Sequence, residues 1–425
     1  MPSPQPPTDR VTVVTSRYEP SAIAQTIDVD SLHSILRCAE AGDTRDLFRL
    51  YRDVLLSDSH LQAEFAKRKL AVLGDRMTFV PYDRQNAADV AAADAVRAMV
   101  SDCRSWFDAN AHLLDSVLWP VSVVEKVYAP SGSGYAIREL VPVPHYLQDY
   151  SSGVLRIYDV DPTGLILPTS HDADPARYIM HRGHLLSTPD NWGGPMRSIL
   201  FWWLLGAMSR EWWARFLDRF GAPFPVGKYD ANDAASRSVL QKAFSLAVRV
   251  GGLVVTKDTE VELQQVAASQ TGEAYERFLT ICQREKSKLV LGQTLSAEAQ
   301  PTGLGSGVSD QQEAVRQDIR QFDALRLGAT LRNLLVSQFL AINGFPGRPP
   351  LIVWGSETAV EARSTMAMLA SAAAAGLEVD DPGIPLLSER VGLPLRRSAR
   401  PTPALTPFSA SPRPFPIFPR RPAAR

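Results

Sequence analysis

Apolar residues recur at three- and four-residue spacing through positions 30–73, a period that predicts helix. Three short helices are expected there. Asp30 or Ser31 caps the first, which stops at Gly42. Asp43 or Thr44 starts the second, with Leu47, Leu50, Tyr51 and Val54 on one face. Asp58 or Ser59 starts the third, with Leu61, Phe65, Lys69 and Val72 on one side and Gly74 at the C-terminal cap. A strand follows at 76–80, then helices at 87–100 and 105–118. After Pro120 the pattern turns β-rich. Runs at 121–128 and 135–141 flank Ser131-Gly132-Ser133-Gly134, which predicts a hairpin. From 142 to 195 short apolar runs are broken by Pro, Gly and Asp, leaving room only for strands, with candidates at 154–158 and 178–181.

The segment 195–221 reads as one helix: Pro195 suits its first turn, and Gly221 followed by Pro223 ends it. Trp202, Trp203, Trp212 and Trp213 are four of the eight tryptophans in the chain. In its first half every face is apolar, so it must be covered on all sides, by its own domain or by neighbouring subunits. A helix at 236–248, a strand at 252–256 paired with 261–266, and a helix at 271–288 follow. The Gly-rich stretch 301–307 reads as a mobile loop. Ser309 with Gln312 matches a capping box and opens a long helix to about 343. A strand at 351–354 and an Ala-rich helix at 358–375 come next. From 394 onward nine of 32 residues are Pro, too many for a packed segment. The mixture of helices and short strands is α+β, and residues 1 to about 28 read as a loose arm.

Composition refines this picture. With 45% hydrophobic and 21% charged residues over 425 positions, the chain is globular. Basic residues number 45 and acidic residues 46, but eight Arg and no acid fall in 390–425, leaving 37 basic against 46 acidic residues before them. The result is an acidic body with a basic tail. Cys38, Cys103 and Cys282 are too far apart for a disulfide scaffold or a cysteine zinc site, and a reducing compartment is expected. The opening MPSPQPPTDR has no apolar core, so no secretory signal is expected. The longest apolar run, 199–208, spans about 15 Å of helix, half a bilayer core, and no membrane span is expected.

Candidate chemistry is sparse. Gly303, Gly305 and Gly307 invite a phosphate-loop reading, but Gly227-Lys228 is followed by Tyr229 rather than Ser or Thr, and the third glycine comes one residue too early for a dinucleotide fingerprint. His145, His171, His181 and His184 fall within forty residues among Asp159, Asp161, Asp172 and Asp174, yet match no zinc spacing. They read as ordinary surface and turn histidines. The paired tryptophans read as buried packing rather than a base-stacking platform. The Arg-rich tail fits either contact with nucleic acid or a solvated tail. No GxSxG, HExxH or compact Cys–His arrangement occurs, so neither an enzyme nor a cofactor or metal is expected.

Three blocks carry a resemblance. The first is Asp58-Ser-His60-Leu61 with Lys67-Arg-Lys69-Leu-Ala-Val-Leu-Gly74. The second is Trp212 to Gly221 with Pro223 and Gly227-Lys228-Tyr229. The third is Lys288-Leu-Val-Leu-Gly-Gln-Thr-Leu-Ser296, the Gly-Ser-Gly loop, Val315-Arg316-Gln-Asp318-Ile319, Asp323 and Asn343. Together, over roughly 30–345, they resemble the Mu-like phage portal protein family.

That resemblance implies the phage portal protein fold, with wing, stem, clip and a short helical crown, in a ring-forming subunit. The ring, usually of twelve copies, would sit at one capsid vertex as the conduit for double-stranded DNA. Its partners would be further copies of itself, the terminase large subunit, the major capsid protein and neck or head-completion proteins. It would lie in the host cytoplasm before assembly and in the virion afterwards. Mapped onto this chain, 1–29 is an arm, 30–141 a wing part, 142–195 the clip and 196–222 a stem helix. The remainder gives a second wing part at 223–355, with a tunnel loop at 300–308 and the long helix at 309–343, then a crown at 356–393 and a tail at 394–425. The expected tunnel-loop residues are Gln300, Thr302, Gly303, Leu304, Gly305, Ser306 and Gly307. The expected stem-packing residues are Trp202, Trp203, Leu205, Trp212, Trp213 and Phe216, and the motor-facing clip residues Tyr150, Arg156, Asp161, His171 and Asp174. The alternatives are a DNA-binding accessory head protein acting through the basic tail and a nucleotide-binding enzyme using Gly303–Gly307.

Overall fold

Asp28 begins the first helix, α1 (Val29–Glu40), by accepting the Ser31 N–H at 2.8 Å, two residues before the expected cap at Asp30. Gly42 follows its end with φ +109°, and a Cβ there would fall 2.8 Å from the Tyr150 carbonyl oxygen, so glycine lets the chain turn against that backbone. The computed structural model describes residues 6–12, 27–132, 134–220, 226–229, 253–256, 268–293 and 306–355, with positions 238, 368–371, 379, 383–384, 387–388 and 396 besides.

After α1 come α2 (Arg45–Ser57), α3 (Ser59–Leu73), β1 (Met77–Val80), α4 (Ala87–Asp102), α5 (Trp106–Leu113), β2 (Ser122–Ser131) and β3 (Gly134–Val143). Next are β4 (Gln148–Asp149), β5 (Arg156–Val160), β6 (Ile166–Asp172), β7 (Tyr178–His181) and α6 (Met196–Phe220). Then follow β8 (Val226–Tyr229), β9 (Leu253–Thr256), α7 (Ala268–Leu291), α8 (Ser306–Leu331), a π-helical turn (Arg332–Val336), α9 (Ser337–Ile342) and β10 (Leu351–Trp354). The chain divides into two compact units, 1–355 and 356–425. In the second, 368–371 is helical, and most of the expected crown and tail lies outside the described residues.

Three cores hold the first unit. In one, Leu47, Phe48, Leu50, Tyr51 and Val54 of α2 pack with Trp119 and with the α6 stripe Met196, Ile199, Leu200, Trp203 and Leu204. In the second, α4, α5, the β2–β3 hairpin, α8 and β10 meet around Val96, Leu113, Tyr128, Leu327, Leu331 and Trp354. β1 and β10 pair antiparallel, Met77 opposite Trp354, and so close the chain around this core.

The third core joins the expected clip region to the wing hairpin. The antiparallel sheet β4–β5–β6 buries Ile157 and Tyr158 against Val121, Val123, Val143 and Tyr178 of the β3–β2–β7 layer. The apolar face of residues 142–195, the expected clip, is thus covered by the wing hairpin.

Nor is the N-terminal arm loose over residues 6–12. Glu125, fully buried on β2, accepts the Val11 and Thr12 N–H groups at 2.9 and 2.8 Å and the Arg177 guanidinium at 3.0 Å. Tyr128 N–H donates to Pro7 O at 2.9 Å, covering the β2 edge where β7 stops. A buried carboxylate needs donors, and the arm supplies two of them. Deleting residues 1–12 is expected to cost roughly 1–3 kcal/mol in chemical denaturation; an unchanged midpoint would refute this role.

α8 starts at Ser306, so Ser309 and Gln312 lie inside the helix rather than at its cap. The expected unbroken helix also widens into the π turn, where the fully buried Lys126 ammonium donates to Leu334 O at 2.7 Å, to Pro175 O at 2.6 Å and to Gln338 Oε1. Burial pushes the Lys126 pKa down to about 7, with Asp174 opposing. Between there and the unfolded lysine value, near 10.4, the unfolded chain holds the extra proton. Stability from this group therefore rises with pH across that window, by at most about 1.4 kcal/mol per pH unit. Lys126→Met is expected to flatten that slope when denaturation is compared from pH 7 to 10.

Candidate functional site

Two long helices and the clamp at their base define the site. Gly206 of α6 faces Cys282 of α7, its Cβ position 3.6 Å from Cys282 Cβ, and the Phe216 and Tyr275 rings lie 6.1 Å apart. The pairing of 206 with 282 and of 216 with 275 makes the helices antiparallel. The strand pair joining their far ends is β8–β9, parallel, Val226 opposite Leu253. Its partner is thus 226–229; the expected partner at 261–266 and the expected helix at 236–248, Ser238 apart, lie outside the described residues.

Along α6 the expected stem residues divide. Trp203 is buried in the subunit core beside Leu200 and Leu204. Phe201, Leu205 and Trp212, at spacings of four and seven, line the opposite face, with Phe201 56% and Trp212 50% exposed. Trp202, Trp213 and Phe216 are half-buried. The helix is thus covered by its own subunit on one stripe and left apolar on another.

At the base, α3 grips the end of α7 and the middle of α8. Asp58 caps α3 through the Leu61 N–H at 3.0 Å while its second oxygen takes the buried Lys286 ammonium of α7. Burial raises the Asp58 pKa, but Lys286 and the cap N–H outweigh that and hold it below the ordinary value. His60 Nε2 meets Ser287 Oγ at 2.8 Å. Arg68 donates two N–H groups to Asp323 of α8, at 2.8 and 2.9 Å, and a third to Val290 O at 2.8 Å. Gly292, φ +70°, ends α7 so close to α8 that a Cβ would fall 2.9 Å from Ile319 Cδ1. One guanidinium thus ties the end of α7 to the middle of α8. Of the expected tunnel-loop residues, Gln300, Thr302, Gly303, Leu304 and Gly305 lie outside the described residues, while Ser306 and Gly307 form the first turn of α8.

The expected clip residues fall on the sheet over the wing. Arg156 bonds Ser170 Oγ at 2.9 Å and pairs with Asp172 at 2.9 Å. Asp161 accepts the Thr163 and Leu165 N–H groups in the β5–β6 turn, both at 2.8 Å. Asp174 holds the turn before β7. His171 lies between Asp159 and Tyr178 OH, 2.7 Å from each. Tyr150 is buried in the first core, its hydroxyl donating to Gln148 Oε1 at 3.1 Å, so it presents no motor-facing surface. The other clustered histidines disperse as well: His181 contacts Thr330, His184 contacts Pro120 O, and His145 contacts Ser122. The Asp58–Lys286 and Arg68–Asp323 pairs were missed as pairs, although three of their four members stand in the blocks that carry the resemblance.

The fold is shared with chains in the necks of gene transfer agent particles. A chain in the neck of a native gene transfer agent particle, computed with C12 symmetry, matches at TM-score 0.54 and 14% identity, over 82% of this chain and 94% of that one. A chain in the neck of the empty particle, computed with C6 symmetry, matches at TM-score 0.51 and 13% identity, over 80% and 91%. At such identity the likeness is one of fold. The family model for the portal protein of Mu bacteriophage matches residues 48–393, and the chain belongs to that family. It is similar to the portal protein of Escherichia phage Mu, 26% identical over 320 residues, 73% of this chain and 60% of that protein. It is also similar to the Mu-like prophage FluMu protein gp29 of Haemophilus influenzae, 24% identical over 318 residues, 73% and 59%. The chain thus spans about three-fifths of the length of these curated relatives. Among the described residues no helix is long and apolar enough to cross a membrane.

Proposed function

We propose that this chain is one subunit of a closed ring, of twelve copies, that forms the channel for double-stranded DNA at one capsid vertex during packaging and ejection. The observation that carries this reading is the divided α6 helix. A stripe bearing Phe201, the partly buried Leu205 and Trp212 lies outside the core among the described residues, and a cyclic array offers each subunit an identical neighbour on both sides. The acidic balance of residues 1–389 suits transit, because each phosphate bound by Lys or Arg adds affinity and hence drag.

In this reading α6 and α7 are the stem, and the β8–β9 pair between their far ends takes over the clip role from 142–195. That end docks the terminase large subunit and later the neck or head-completion proteins; the wing meets the major capsid protein. The subunit waits in the host cytoplasm, ends in the virion at the portal vertex, and does its work without a chemical reaction. The nucleotide-loop and basic-tail alternatives rest on segments largely outside the described residues and gain no observation here.

The test is particle size and shape. Twelve copies of a 46.6 kDa chain make an annulus of roughly 560 kDa by light scattering and negative-stain imaging. A stable monomer at micromolar concentration that forms no ring with any assembly partner would overturn the reading.

A further inference from the structure

The geometry points to a site for one divalent transition-metal ion, of the Zn²⁺ class, held by His112, Asp115 and His145. His112 stands in the last turn of α5, Asp115 three residues on, and His145 follows Pro144 after β3. One donor atom from each lies within 4.8 Å of the other two. His112 Nδ1 is 3.5 Å from Asp115 Oδ2. That is long for a hydrogen bond but close to the spacing of two ligands on one tetrahedral zinc, about 3.4 Å for bonds near 2.1 Å. The other ring nitrogen of His112, Nε2, is buried with no partner among the described residues, while Nδ1 faces the Asp115 carboxylate. A buried ring nitrogen without a partner is the kind of polar atom that calls for an explanation, and a ligand held at this cluster is one.

His145 completes the set. It is buried, its ring stacked on Trp119 with centroids 4.6 Å apart and tilted against His112 at 4.7 Å. Ser122 Oγ holds its Nε2 at 3.1 Å, the kind of outer partner that fixes a ligating imidazole and leaves Nδ1 for the ion. The three residues line a cavity of about 400 Å³ whose wall includes Phe65, Trp119 and Lys69, which gives an ion a way in. Lys69 Nζ, 2.5 Å from Asp115 Oδ1, is the rival cation. Its flexible stem lets the ammonium swing out when an ion enters, leaving both carboxylate oxygens to the metal.

The test uses the full chain after chelator treatment. Zn²⁺ is titrated by calorimetry, and Co²⁺ by its visible d–d absorption. One ion per chain is expected, with Co²⁺ bands of four-coordinate intensity. His112→Ala is expected to weaken binding at least about tenfold. Lys69→Gln, which removes the rival charge and leaves all three ligands, is expected to tighten it severalfold. Circular dichroism checks that both variants fold. Binding that His112→Ala leaves unchanged, or no binding even in Lys69→Gln, overturns the site and leaves Asp115 as the ion-pair partner of Lys69 alone.

Discussion

Phe201→Glu combined with Trp212→Glu is expected to give a folded subunit that no longer assembles. Both side chains are at least half exposed on the α6 face away from the first core, so the double variant removes little that the isolated subunit buries. In a ring each aromatic would go from half exposed to covered, worth on the order of 1–2 kcal/mol apiece at about 25 cal/mol per Å². Placing a carboxylate there instead adds the cost of dehydrating an unpaired charge. Together these weaken each contact by more than about 100-fold, or roughly 3 kcal/mol, and closure requires every contact. Sedimentation velocity would then show monomer where the parent shows annuli, with unchanged circular dichroism. Trp203→Ala is the contrasting control: Trp203 sits in the core with Leu200 and Leu204, and its loss is expected to cost about 3–5 kcal/mol of subunit stability. A double variant that still forms rings would remove the outer α6 stripe from the interface.

Much of this architecture could be read from local signals. Pro195 and Gly221 bracket a run with no internal proline, and α6 spans Met196–Phe220. The Ser131–Gly134 turn lies between two β-branched runs, and β2 and β3 close on it. What stayed hidden depends on partners far apart in sequence. Four-residue strands such as β1 and β10 carry no mark of each other. A turn-rich run of short strands looks the same whether its apolar face meets a neighbouring sheet or a solvent-exposed module, so nothing in the sequence of 142–195 shows that Ile157 and Tyr158 pack on the wing. Charged residues on helices read as solvated faces, which concealed Arg68, Lys286 and Asp323. His112 lies 33 positions from His145, outside any ligand spacing, whereas the four histidines that did cluster in sequence disperse in space.

Those concealed charges yield the largest expected loss of subunit stability. Arg68 is mostly buried and Asp323 is 1% exposed, so Arg68→Met strands a carboxylate inside the protein and leaves Val290 O without its donor. Removing one partner of such a pair costs about 3–5 kcal/mol. Arg68→Lys keeps the charge but loses the planar fork that spans both carboxylate oxygens, and an intermediate loss is expected. The double variant Arg68→Met with Asp323→Leu abolishes the stranded charge and should regain most of the stability, giving a coupling energy of at least about 2 kcal/mol in a double-mutant cycle. Because the guanidinium ties Val290 of α7 to Asp323 of α8, hydrogen exchange in Arg68→Met should rise first at 288–293 and around Asp323 in α8. The β2–β3 hairpin, in a different part of the core, should keep its protection. Uniform loss of protection, or an additive cycle, would mean that the pair supports the whole unit rather than the two flanks it joins.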